Sequence, residues 1–124
     1  MSPKSLNIAI ADDEVDMRDY LQKVLPRLGH RVVVVAENGI QLVTECRTNP
    51  PDLVITDLKM PDGDGVRAIE EIWRAQSVPV IVISAFPQDI PDWLRTHPLL
   101  VSVLVKPIKT ADLEPVISRI ASAS

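Results

Sequence analysis

The 124 residues predict a single α/β domain: a doubly wound parallel sheet between two layers of helix. Three observations point there. Five short Val- and Ile-rich runs recur along the chain, stretches of helical period lie between them, and most of the runs lack in/out alternation. Strands that are apolar on both sides are covered on both faces, as in a parallel sheet.

The elements follow in order. A first run, residues 6–11, leads into a helix whose apolar stripe is Met17, Leu21, Val24, Leu25 and Leu28, with Gly29 at its exit. The second run, 31–36, precedes a weaker helical stretch, 40–46, with Val43 and Cys46 turned inward and Asn49-Pro50-Pro51 as the stop. The third run, 53–56, is followed by the stripe Val66, Ile69, Ile72 and Trp73. After the fourth run, 78–83, comes "FPQDIPDWLRTHP", with Pro87, Pro91 and Pro98. Proline suits a first turn and breaks a helix interior, so only a short helix is expected, from about 91 to 96. Asp89 or Ile90 should lie near its start. The fifth run, 101–105, precedes the stripe Leu113, Val116, Ile117 and Ile120. Pro26 falls within the first helix, and Pro115 fits the last only if it lies close to the first turn. Residues 1–124 read as one domain with a short disordered tail at about 122–124.

Composition bounds the function. Hydrophobic residues make up 46% and charged residues 24%, a globular balance, and the net charge of −4 does not suggest a nucleic-acid surface. The one cysteine, Cys46, has no internal partner and reads as a buried thiol in a reducing compartment. "LNIAIA" is too short for a secretory signal, and no apolar stretch approaches a membrane span. The chain reads as soluble and cytoplasmic.

In parallel sheets ligands bind beyond the carboxyl ends of the strands. The residues placed there are informative. Asp12, Asp13 and Glu14 follow the first run, Asp57 the third, Ser84 the fourth and Lys106 the fifth. Each alone has a structural explanation: Asp12 or Asp13 as a helix cap, Asp57 as a turn residue, Ser84 as a satisfied hydroxyl, Lys106 as a surface charge. Together they put clustered carboxylates, a hydroxyl and one ammonium at one edge. Such carboxylates repel, and a single lysine does not neutralise them. A hard divalent cation does, and oxygen ligands suit Mg²⁺. A cation beside a carboxylate, a hydroxyl and an ammonium is a site for a phosphoryl group.

"DDE" after the first strand, "DLKMPDGDG" after the third, "SA" after the fourth and "KP" after the fifth resemble the receiver domains of two-component response regulators. The resemblance covers essentially the whole chain. It implies a (βα)5 flavodoxin-like three-layer sandwich with strand order 2-1-3-4-5. It implies that Asp57 accepts a phosphoryl group from a phosphohistidine on a histidine kinase or phosphotransfer protein, and that a downstream protein target reads the result. Asp13 and Asp57 would bind Mg²⁺ directly with the Lys59 backbone carbonyl, and Asp12 mostly through water. Lys106 would pair with the acceptor and then with the phosphoryl oxygens, and Ser84 would donate a hydrogen bond to them. Ala85 would leave room for the incoming group, and the Lys106-Pro107 bond would be cis.

Two departures carry expectations of their own. The family often has Tyr or Phe three residues before the lysine, where this chain has Val103. With no aromatic ring to swing there, signalling is expected through backbone movement of loop 84–87, with Phe86 or Trp93 as the candidate movers. In the family, the positions of Lys59 and Phe86 flank the route of attacking water, so a long cation and a ring there imply a persistent acyl phosphate.

Two other functions compete. A phosphohydrolase with an aspartyl-phosphate intermediate would resemble D-x-D, but Lys59 stands two residues after Asp57. A receiver-like module that works without phosphorylation is opposed by the complete set Asp12, Asp13, Asp57, Ser84 and Lys106. The nucleotide-binding glycine motifs are missing. Direct nucleic-acid or membrane binding is not expected. The face of the fourth and fifth helices is the candidate surface for a homodimer, and two readings stand for the domain: a stand-alone receiver acting by protein contact, or part of a longer regulator.

Overall fold

The computed structural model describes residues 4–61 and 64–123. Part of the "DGDG" turn, Asp62 and Gly63, lies outside the described residues. Five strands, β1 (Asn7–Ala11), β2 (Arg31–Ala36), β3 (Leu53–Asp57), β4 (Val80–Ser84) and β5 (Leu100–Val105), pair in parallel in the order β2-β1-β3-β4-β5. Helices α1 (Val15–Arg27), α2 (Gly39–Thr48), α3 (Gly65–Ala75), α4 (Asp92–Arg95) and α5 (Thr110–Ala123) connect or follow them. This is the doubly wound α/β architecture expected, with β1 and β3 at the switch in strand order.

The strands do alternate, in side-chain volume rather than in polarity. Ile8, Ile10, Leu53, Ile55, Ile81 and Ile83 pack on one face with Leu21, Leu25, Leu113 and Ile117 of α1 and α5. Ala9, Ala11, Val54, Val80 and Val82 pack on the other with Leu42, Cys46, Ile69, Ile72 and Leu94 of α2, α3 and α4. Each fully buried Leu or Ile removes enough apolar surface from water to contribute about 1.5–3 kcal/mol. The central strands, packed on both faces, position whatever follows them.

The differences from expectation are local. In α2 the deeply buried residue beside Cys46 is Leu42, and Val43 is only half-buried against the same core. Strand β3 runs on to Asp57, whose backbone pairs with Ile83. Before α4 a 3-10 turn, Pro87–Asp89, takes up the segment where no regular element was expected. Pro91 and Thr96 bracket α4 itself, close to the expected limits. Pro115 falls in the second turn of α5 and not the first; the carbonyl it leaves unpaired belongs to exposed Ala111, which water can satisfy. Residues 122 and 123, expected in a disordered tail at about 122–124, belong to α5, which continues through Ala123; Ser124 lies outside the described residues. Cys46 is buried, and burial together with Glu45 pushes its thiol up to about 11. That is an inert packing residue.

Candidate functional site

The carboxyl ends of β1, β3, β4 and β5 deliver Asp12, Asp57, Ser84 and Lys106 to one edge. Asp12 continues β1, its N–H donating to the Ala36 carbonyl of β2 at 3.1 Å. Lys106 continues β5, its N–H donating to the Ser84 carbonyl at 2.9 Å. Asp12, Asp57 and Ser84 are buried, against the ordinary preference of such residues. Their burial is imposed by the strands they terminate.

Lys106 is the hub. Its Nζ donates to Asp57 Oδ2 at 2.8 Å and to Glu14 Oε1 at 2.7 Å, and lies 2.9 Å from Asp12 Oδ2. The last contact is an ion pair, and Lys106 is the only polar side-chain partner of the buried Asp12 Oδ2 among the described residues. Burial acts most strongly on Lys106 and by itself would lower its pKa. Asp57, Glu14 and Asp12 outweigh it and hold the ammonium protonated well above the usual lysine range. Burial likewise dominates at Asp12 and raises its pKa, more than the Glu14 N–H and Lys106 lower it, with Asp57 adding to the rise.

Asp57 is oriented from its other oxygen. Oδ1 accepts the N–H groups of Leu58 at 2.6 Å and Lys59 at 3.2 Å, which sets the Lys59 main chain beside the cluster. Ser84 Oγ accepts the Phe86 N–H at 2.9 Å, so its own O–H remains free to donate. The Lys106-Pro107 peptide is cis. Asp13 is exposed at the mouth, and one oxygen from each of Asp12, Asp13, Glu14 and Asp57 lies within 4.8 Å of the others. Four carboxylates against one ammonium fit a divalent cation with oxygen ligands.

Asp12, Asp13, Asp57 and Lys106 thus come together, and Ser84 ends the strand beside that of Asp57. Glu14 had no role assigned from the sequence beyond its place in the acidic run, because its partner Lys106 is 92 residues away. Arg18 was also missed: its Nη1 donates to the Asp12 carbonyl at 2.9 Å and its Nη2 pairs with Glu37 at 3.2 Å, bracing the turn after β1. Its position six residues after Asp12, on the first turn of α1, is the only signal that could have found it. Gly65 was quoted in the third motif without a reason. Its N–H donates to the Leu58 carbonyl at 2.8 Å, and a Cβ there would collide with the Asp57 carbonyl oxygen and come within 2.7 Å of Leu58 Cα. Only glycine lets α3 start against the end of β3. Val103 is half-buried in β5, and no ring occupies that place.

A three-layer sheet with this acidic edge and a lysine at its centre is the arrangement of a phosphoryl-accepting signalling domain. Residues 8–118 match the response regulator receiver domain family, and the chain belongs to it. Among curated relatives, the transcriptional regulatory protein PdtaR of Mycobacterium tuberculosis is 37% identical over 89% of this chain and 54% of its own length. The chemotaxis protein CheY of Bacillus subtilis is 39% identical over 65% of this chain and 68% of its own length. The chain spans about half the length of PdtaR and less of several other relatives. Among solved structures, the receiver domain of Erythrobacter litoralis PhyR superposes with a TM-score of 0.84 at 28% identity, covering 94% of this chain and 90% of that one. A chain of the CheX-CheY-BeF3-Mg complex from Borrelia burgdorferi gives 0.81 at 25% identity, covering 94% of this chain and 90% of that one. Receiver domains bind Mg²⁺ in an acidic pocket, and this chain has an acidic cluster at the corresponding edge. Among the described residues, no helix is long and apolar enough to cross a membrane.

Proposed function

We propose that Asp57 accepts a phosphoryl group from the phosphohistidine of a kinase or phosphotransfer protein, with Mg²⁺, and that the new charge switches contacts with a downstream protein. The carrying observation is Lys106 Nζ, held at once by Asp57, Glu14 and Asp12 from distant parts of the chain. An Asp57 oxygen forms the bond to phosphorus as the phosphorus–nitrogen bond breaks; the imidazole nitrogen keeps that electron pair and takes a proton from solvent. The Leu58 and Lys59 N–H groups hold the carboxylate in its attacking orientation. Lys106 then transfers its hydrogen bond from Asp57 to a phosphoryl oxygen, and the free Ser84 O–H donates to another. Asp12, Asp13 and Asp57, with the Lys59 carbonyl, would hold Mg²⁺, which when bound screens the charge on the phosphoryl oxygens. No external substrate is turned over; the chemistry is the chain's own phosphorylation and dephosphorylation. We place it in the cytoplasm, where the lone Cys46 stays reduced.

Incubation with acetyl phosphate and Mg²⁺ is expected to add the mass of one phosphoryl group to the intact protein. Asp57→Asn should abolish the gain, and so should chelation of the metal. Turnover of a phosphate ester without a stable adduct would favour a phosphohydrolase instead. Lifetime follows from a second feature: Lys59 Nζ lies 4.4 Å from the centre of the Phe86 ring. Each lines the cavity shared with Ser84, so the long cation and the ring each hinder the approach of water to the acyl phosphate. The Lys59→Ala, Phe86→Ala double variant is expected to lose its phosphoryl group faster, by on the order of tenfold, about 1.4 kcal/mol of barrier.

A further inference from the structure

Lys59 makes two contacts that have nothing to do with its backbone role. Its Nζ pairs with Asp89 Oδ2 at 2.6 Å while lying over the Phe86 ring. Both partners belong to the segment between β4 and β5, which carries three prolines and has only a one-turn α4. That segment is internally tied. Asp89 N–H donates to the Phe86 carbonyl at 3.0 Å, and Arg95 Nη2 donates to the Pro87 carbonyl at 2.7 Å. Moving Asp89 therefore moves the 3-10 turn, and Arg95 carries that movement into α4.

We infer that Lys59 is a charge-exchange latch: it holds Asp89 while Asp57 is unmodified and turns to the phosphoryl group once Asp57 carries one, releasing the 3-10 turn and α4. The inference rests on the phosphoacceptor reading above. Lys59, Ser84, Phe86 and Asp89 line one cavity of about 190 Å³, so the ammonium and the switch hydroxyl share the same space. A phosphoryl group brings roughly two negative charges, against one on Asp89, and Lys59 reaches on a flexible four-carbon stem. The Lys59 and Asp89 side chains are 60% and 50% exposed, so the existing pair is weak and breaks at little cost. A latch of this kind does not need an aromatic at position 103.

The test compares wild type, Asp89→Asn, Lys59→Met and Lys59→Arg by ¹⁵N–¹H spectra and amide hydrogen exchange, with Mg²⁺, before and after adding beryllofluoride. In wild type, beryllofluoride should shift the amides of 88–95 and speed their exchange roughly two- to fivefold, the factor carried by an exposed ion pair. Asp89→Asn and Lys59→Met should show that faster exchange before any addition, with Ser84 and Lys106 still responding to beryllofluoride. Lys59→Arg should restore the wild-type pattern. Wild-type exchange across 88–95 in Asp89→Asn, or beryllofluoride opening of that segment in Lys59→Met, would overturn the latch while leaving the phosphoacceptor reading intact. Silence of Ser84 and Lys106 in wild type would overturn both.

Discussion

His30 illustrates what a single buried polar residue demands. Its Nδ1 accepts the Leu6 N–H at 3.0 Å, which requires an unprotonated nitrogen there. Burial lowers its pKa from 6.5, for the same reason that an imidazolium would be costly in that place. Between the lowered value and 6.5 the unfolded chain binds more protons than the folded one, so stability rises with pH across that window. The contribution is complete above 6.5 and is lost as pH falls towards the folded-state value. Denaturant midpoints of wild type and His30→Gln, measured from pH 7.5 to 5, should therefore differ in slope, the variant being flatter. The raised Asp12 pKa acts with the opposite sign and is common to both proteins, so the comparison removes it. Lys106 belongs at this scale too. Its charge is kept on by Asp57, Glu14 and Asp12 despite burial, so it stays a cation around neutral pH.

The decisive contact between elements is that of α3 with the end of β3. Helix α3 starts at Gly65 because the main chain at Asp57 and Leu58 fills the place of a Cβ. Asp64 accepts the Arg67 N–H at 2.8 Å as the N-cap, closing the same turn. Gly65→Ala must push α3 away from β3 or bend the Asp57 backbone. An overpacking cost of about 1–3 kcal/mol is expected, read from equilibrium unfolding. Phosphorylation should fall with it, because the displaced backbone carries the acceptor. At the other end of α3, Trp73 stacks on His97 with ring centroids 4.1 Å apart and donates its Nε1–H to the Val78 carbonyl at 2.8 Å. His97 therefore anchors the chain just beyond the short α4, and Ile90 and Leu94 pack on the core, while Phe86 and Trp93 stay exposed. Of the two rings singled out as candidate movers, Trp93 faces out, and Leu94 beside it takes the core position.

For the whole molecule, the unbalanced charge at the sheet edge should couple metal binding to stability. A ligand that binds only the folded state stabilises it by RT ln(1 + [L]/Kd). Mg²⁺ at a hundredfold excess over its dissociation constant should contribute about 2.7 kcal/mol, seen as a rise in melting temperature that EDTA reverses. Asp13→Asn should shrink that rise with little effect on the metal-free protein, since Asp13 is exposed and makes no contact with Lys106 within ion-pair distance among the described residues. An equal shift with Ca²⁺ and Mg²⁺ in wild type and Asp13→Asn alike would mean general ionic screening and no defined site.

Period and hydropathy are local properties, and they made the five strands, the helices between them and the placement of Asp12, Asp57, Ser84 and Lys106 legible from the chain alone. Burial of a strand on both faces and the position of its last residue follow from a handful of neighbours in sequence. What required three dimensions was every choice between near-equivalent neighbours and every pairing across distance. The chain could not tell that Leu42 rather than Val43 would be buried, or that Asp12 lies beneath Asp13. It could not show that Glu14 would share Lys106, or that Lys59 would reach across to Asp89 and Phe86. Those outcomes depend on the register and packing of elements brought side by side, where a displacement of a few ångströms decides whether two charges meet or are separated by water.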